Sequence, residues 1–209
     1  MPQTVILDYD MTLVDSIRAI TRGLNKIAER FDLRPVDEND TRGVMSLEAK
    51  AFWSTLWGRY DEEWSRYFIA EVSKQEKNYL EISPGAEELL TDLKASGVQL
   101  ALATNRDNAW HALASIDLAR YFDTAVGCLD VMRGKPAPDM ILMVLDQLNA
   151  DPCQTVYVGD AVFDMEAARA AGVRAIGLTQ GGVSREALFA AGAWQVRENL
   201  LESRQLLGL

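Results

Sequence analysis

The sequence predicts an α/β protein: a doubly wound, mostly parallel sheet with helices on both faces, and a small α-helical cap inserted after the first strand. Three observations predict it. From Val98 onward, short apolar runs alternate with amphipathic stretches, the rhythm of right-handed β-α-β crossovers. One more apolar run, "TVILDY" at 4–9, stands apart with no polar alternation, as a strand buried on both faces does. Between them, from about Leu33 to Leu80, no strand pattern occurs and apolar residues recur at helical spacing. The expected division is a Rossmann-like core of 1–15 and 81–209 and a helical cap of 16–80, a size suited to a small subdomain.

The elements follow in order. After the first strand the period changes: Ile17, Ile20, Leu24, Ile27 and Phe31 lie three and four apart, marking a helix that Asp15 or Ser16 can cap. Leu47, Phe52, Trp53, Leu56 and Trp57 suit a second helix, and Trp64, Tyr67, Phe68 and Val72 a third; these aromatics read as packing core. Pro84 and Gly85 open a helix that stops at Gly97. Then come strands in "VQLALAT", "DTAVG", "QTVYVGD", "VRAIGLT" and "AWQVR". The helices between them are "NAWHALASI", "APDMILMVLDQL", "DMEAARAAG" and "SREALFAAG", and a last helix follows.

Composition narrows the function. A chain that is 48% hydrophobic and 25% charged has the make-up of a folded globular protein. Its net charge of -10 repels phosphate backbones and anionic bilayers, so neither nucleic acid nor membrane is an expected partner. Cys128 and Cys153 form no CxxC and read as buried thiols. The opening "MPQTVILDYD" lacks the basic and apolar regions of a signal peptide, and the default expectation is a cytoplasmic protein, as a monomer or a homodimer.

Ligands of open parallel sheets bind at the carboxyl ends of the strands. Asp8 and Asp10 follow the first predicted strand, Thr104 and Asn105 the second, Lys135 in "GKPAPD" lies beyond the third, and Asp160 and Asp164 follow the fourth. Each piece alone is common: a DxD often makes a surface turn, and a GDxxxD often caps a helix. Their joint order at successive strand ends is what points to a site. Four carboxylates in one crevice raise each other's pKa unless a cation offsets them. Magnesium, which prefers oxygen ligands and accepts one or two carboxylates plus phosphate, fits that need.

"DYDMTLVDS", "LATN", "GKPAPD" and "VGDAVFDMEAARAAG" resemble, in order and spacing, the four motifs of the haloacid dehalogenase-like hydrolase superfamily. The tail "GGVSREALFAAGAWQV" is similar to its phosphoglycolate-phosphatase-like branch, and the helical insertion looks like its small cap. The resemblance implies a magnesium-dependent phosphatase acting on a small phosphorylated metabolite. Asp8 would be the nucleophile and Asp10 the general acid and base. Thr104 and Asn105 would bind the phosphoryl group and Lys135 would neutralise charge. The metal would sit on the Asp8 carboxylate, the Asp10 carbonyl and Asp160, with Asp164 beside them.

One position departs from the pattern. The family usually has glycine where this chain has Met11, and methionine disfavours a positive φ. Either the backbone here does not need that conformation or the loop differs. In the cap, Arg42 and Lys50 are candidates for touching substrate and Gly43 for a loop pivot; Arg106 could also reach substrate. His111 reads as structural or semi-exposed and not catalytic. A phosphomutase on the same scaffold is the nearest alternative. A non-hydrolytic signalling or binding module, in which a phosphorylated Asp is the message, is a further one.

Overall fold

β1 (Thr4–Leu7) is inaccessible at Val5, Ile6 and Leu7, which is why its sequence carries no polar alternation. The computed structural model describes residues 1–45 and 47–209, apart from the side chains of Ala49 and Lys77. The chain forms two units, residues 1–14 with 82–209 and residues 15–81. It leaves the first through β2 (Val14–Asp15) and returns through β3 (Glu81–Ile82), two short strands that pair.

The second unit holds α1 (Ile17–Phe31), α2 (Glu38–Arg42), α3 (Ala49–Trp57) and α4 (Glu62–Tyr79). The start of α1 is served by Asp15, whose carboxylate accepts the Ile17 N–H at 3.0 Å; Ser16 makes no such bond. α2 falls in a stretch the apolar periodicity left unassigned. Its signal is polar: Asp37 accepts the Asp40 N–H at 2.8 Å and Asp40 accepts the Asp37 N–H at 3.2 Å, a reciprocal capping box. Gly23 lets α1 and α4 approach closely, since a Cβ there would stand 2.5 Å from Val72 Cγ2. The core of this unit is aromatic. Trp53 stacks on Trp57 with ring centroids 5.6 Å apart, and Trp57 meets Trp64 edge-on at 5.4 Å.

The first unit continues with α5 (Ala86–Ala95), β4 (Gln99–Ala103), α6 (Ala109–Ser115), β5 (Thr124–Val126), α7 (Asp139–Leu148) and β6 (Thr155–Gly159). α8 (Val162–Ala170), β7 (Arg174–Leu178), α9 (Arg185–Ala191), β8 (Gln195–Arg197) and α10 (Arg204–Leu207) complete it. Six strands pair in parallel in the order β5-β4-β1-β6-β7-β8, the doubly wound arrangement expected. One face of the sheet packs α7, α8 and α9 through Met140, Ile141, Val144, Met165, Ala168 and Leu188. Among the described residues no helix is long and apolar enough to cross a membrane.

Trp64 is 1% exposed and touches two other tryptophans and Phe31. Trp64→Ala should cost about 3–5 kcal/mol of the stability of this unit, read as a lower midpoint in chemical denaturation followed by tryptophan fluorescence.

Candidate active site

The chain winds outward from β1 in one direction through β4 and β5, and in the other through β6, β7 and β8. The switch between directions lies beside β1, and it opens a crevice at the carboxyl ends of the strands. Register does the rest. Leu7 lies level with Leu102 and Val158, so the residues that follow them emerge together. Asp8 stays tied to the sheet by its N–H, which donates to the Val158 carbonyl at 2.9 Å. β1 ends at Leu7, which frees Asp8 and Asp10 from the shared face that a continued strand would impose. Asp8 is buried, whereas the Asp10 side chain keeps 23% of its surface exposed.

Lys135 reaches into this crevice from the loop after β5. Its ammonium is fully buried and lies 2.7 Å from Asp8 Oδ1, 2.7 Å from Asp164 Oδ1, 3.0 Å from the Ala103 carbonyl and 3.0 Å from the Tyr157 hydroxyl. Tyr157 in turn has Asp164 Oδ1 at 3.0 Å and the Ala103 carbonyl at 3.2 Å as acceptors for its single proton. The other Asp164 oxygen accepts the Ala161 N–H at 3.0 Å. Asn105 spends its amide on the Lys135 main chain: its oxygen accepts the N–H at 2.9 Å and its nitrogen donates to the carbonyl at 3.2 Å. The lysine is thus fixed at both ends.

The electrostatics follow from burial. Desolvation lifts the Asp8 carboxyl to about 7, against the lowering pull of Lys135. Burial, with Asp164 and Asp8 nearby, pushes Asp160 well above the carboxylate range. Burial alone would favour a neutral Lys135, but Asp164 and Asp8 outweigh it and hold the ammonium above its ordinary value. Tyr157 is raised too, by burial first and then by Asp164. With all three carboxylates ionised around one ammonium, two negative charges stay uncompensated, and one divalent cation would cancel them. The donor set suits a hard cation: Asp8, Asp160 and Asp164 each offer an oxygen within 4.8 Å of the others. Asp160 accepts a long 3.4 Å bond from Thr12 Oγ1, and the backbone of Gly181 lies so close that a Cβ would sit 1.8 Å from Asp160 Oδ2.

Asp10 is gripped by Arg106, whose Nε and one terminal nitrogen donate to its two oxygens at 2.8 and 2.6 Å. The guanidinium lies 4.5 Å from the centre of the Tyr9 ring. Arg106 therefore bonds the carboxylate at Asp10, a contact that reading it as a substrate ligand did not anticipate. Met11 settles the question raised by its sequence: it takes φ +54°, the left-handed conformation, and is buried. Its carbonyl accepts from the Gln180 side chain at 2.7 Å.

Thr104 is buried, and its hydroxyl accepts the Arg106 N–H at 3.3 Å. Arg42 and Lys50 belong to the helical unit, where Arg42 pairs with Asp15 at 3.4 Å and Lys50 is exposed. His111 is exposed on α6. Tyr157 and Gln180 escaped the sequence reading. Tyr157 reads as one more apolar residue of a strand, and Gln180 sits in no pattern at all.

Residues 5–178 match the family model for haloacid dehalogenase-like hydrolases. A phosphoglycolate phosphatase of Rhodospirillum rubrum is 32% identical over all of this chain and 92% of its own length. A phosphorylated carbohydrates phosphatase of Thermotoga maritima is 31% identical over 91% of this chain and 92% of its own. The crystal structure of a candidate beta-phosphoglucomutase from Thermotoga maritima superposes with a TM-score of 0.78 at 28% identity, covering 98% of each chain.

Because the Asp8 carboxyl rises from 3.8 to about 7 on folding, the folded protein keeps a proton that the unfolded chain gives up. Its contribution to stability is complete below 3.8 and is lost as the pH rises through about 7. The cation-free protein should lose melting temperature between about pH 4 and about pH 7, and Asp8→Asn should lose less. A divalent cation should restore the loss at the higher pH in the parent and not in Asp160→Asn. Parallel pH profiles for parent and Asp8→Asn would refute the assignment.

Proposed function

The chain belongs to the haloacid dehalogenase-like hydrolase family, and within it we propose a magnesium-dependent phosphatase that hydrolyses a small phosphorylated metabolite through an aspartyl-phosphate. The observation that carries the proposal is the buried Lys135 ammonium shared by Asp8 and Asp164, with Asp10 two residues beyond Asp8 at the mouth of the same crevice. The names of the two phosphatase relatives favour phosphoglycolate-like compounds or sugar phosphates as substrates.

In this reading the Asp8 oxygen not bonded to Lys135 attacks phosphorus, and Lys135 holds the other. Asp10 gives a proton to the departing oxygen, then takes one from the water that opens the acyl phosphate. Arg106 bonds both Asp10 oxygens and favours the carboxylate that the second step requires, so for the first step Asp10 loosens that pair and takes up a proton from solvent. The Thr104 hydroxyl binds a phosphoryl oxygen. Magnesium, held by Asp8, the Asp10 carbonyl and Asp160, would offset charge on the transferring group. Asp164, with both oxygens already engaged by Lys135, Tyr157 and Ala161, acts mainly by fixing Lys135.

The likeness to a candidate phosphomutase favours a second reading, in which the aspartyl-phosphate passes its group back to sugar rather than to water. Turnover of a panel of phosphomonoesters separates the two: phosphate release supports the phosphatase, and isomerisation without it supports the mutase.

With the best substrate of that panel, chelation should stop phosphate release and added magnesium should restore it. Asp8→Asn should abolish turnover, and Asp10→Asn should lower kcat by about 10²–10⁴-fold. An Asp8→Asn protein with full activity would overturn the reading.

A further inference from the structure

A methionine in the left-handed conformation is sterically strained and persists only where its surroundings over-determine it. Around Met11 the local bonds are those of a tight turn: the N–H groups of Thr12, Leu13 and Val14 all point at the Tyr9 carbonyl, at 3.3, 2.9 and 3.1 Å. None of these touches a polar atom of residue 11 itself. The Met11 carbonyl is held instead from far along the chain. The Gln180 side-chain nitrogen donates to it at 2.7 Å and to the Thr12 carbonyl at 3.2 Å. The oxygen of the same amide accepts the Leu200 N–H at 3.3 Å, which anchors the brace to a second segment of the core.

The place of this brace matters. Met11 directly follows Asp10, and the Thr12 hydroxyl reaches Asp160. Gly181, next to Gln180, packs its backbone against the other oxygen of Asp160. The turn after β7 therefore grips the segment that carries Asp8 and Asp10 on one side and the carboxylate of Asp160 on the other.

We propose that Gln180 is a positioning residue that holds Met11 in its left-handed conformation and so keeps Asp8 and Asp10 in working alignment. With glycine at position 11 the conformation carries no steric cost, and the brace becomes dispensable.

Four proteins test this: the parent, Gln180→Ala, Met11→Gly and the double variant. The kinetic arm rests on the phosphatase reading. Gln180→Ala should lower kcat by about tenfold, with KM changed much less, because the brace aligns groups and does not hold substrate. In the Met11→Gly background the same change should move kcat by less than about twofold. An equal loss of kcat in both backgrounds overturns the proposal. The melting temperatures of the same four proteins need no substrate, so they decide the matter even if no phosphatase activity is found. Gln180→Ala should lower the melting temperature more when residue 11 is methionine than when it is glycine, and equal drops would show that Gln180 does not act through Met11. Should Gln180→Ala fold poorly, Gln180→Leu, which keeps the bulk and removes the donor, takes its place in the cycle with the same outcomes.

Discussion

A single ammonium, shut away from water, sets the terms for the catalytic crevice. A buried Lys135 is tolerable only if its charge is met by close oxygens, and four meet it: two carboxylates, a carbonyl and a phenol. These come from just beyond β1, the end of β4, the middle of β6 and α8, so the lysine works as a common anchor for parts of the chain that are distant in sequence. Its presence also decides how charge is distributed. One of its carboxylate partners, Asp8, keeps an oxygen for chemistry, while the other, Asp164, is fully engaged. Asp160, which the lysine does not touch, is left as the carboxylate most in need of a cation. Under the proposed function these three carboxylates divide into a nucleophile, a residue that fixes the lysine and a metal ligand.

Much of this was legible in the sequence because strand ends are legible. Asp8, Thr104, Lys135, Asp160 and Asp164 each follow a recognisable apolar run, and the rule that parallel sheets bind at their carboxyl edge collects them. The helices of the second unit announced themselves through apolar spacing, except α2, whose signal is a pair of aspartates and not a stripe. What stayed hidden were polar contacts with no period. Tyr157 looks like packing until its hydroxyl is seen among Lys135, Asp164 and Ala103. The pairing of Arg106 with Asp10 joins residues 96 apart, and that of Gln180 with Met11 joins residues 169 apart. Spacing along the chain carries no trace of either.

Met11 shows the value of a departure from pattern. Its sequence suggested that the backbone here does not need a positive φ or that the loop differs, and the first of these fails, since Met11 takes φ +54°. A methionine therefore stands in a conformation that favours glycine, and the Gln180 amide holds its carbonyl. The sequence exception and the long-range amide contact are two views of one local problem.

The division of the chain has a consequence for the order in which it can become structured during synthesis. β1 pairs only with β4 and β6, so the strand made first waits until Gly159 has been made before both of its neighbours exist. The helical unit is continuous, residues 15–81, with a tryptophan-rich core of its own, and its contacts are all available much earlier. Local contacts close faster than distant ones. The inserted segment is thus placed to fold on a growing chain while the host sheet still consists of its first strand alone, and the exposed apolar surface of β1 is the part that a nascent chain must keep from straying.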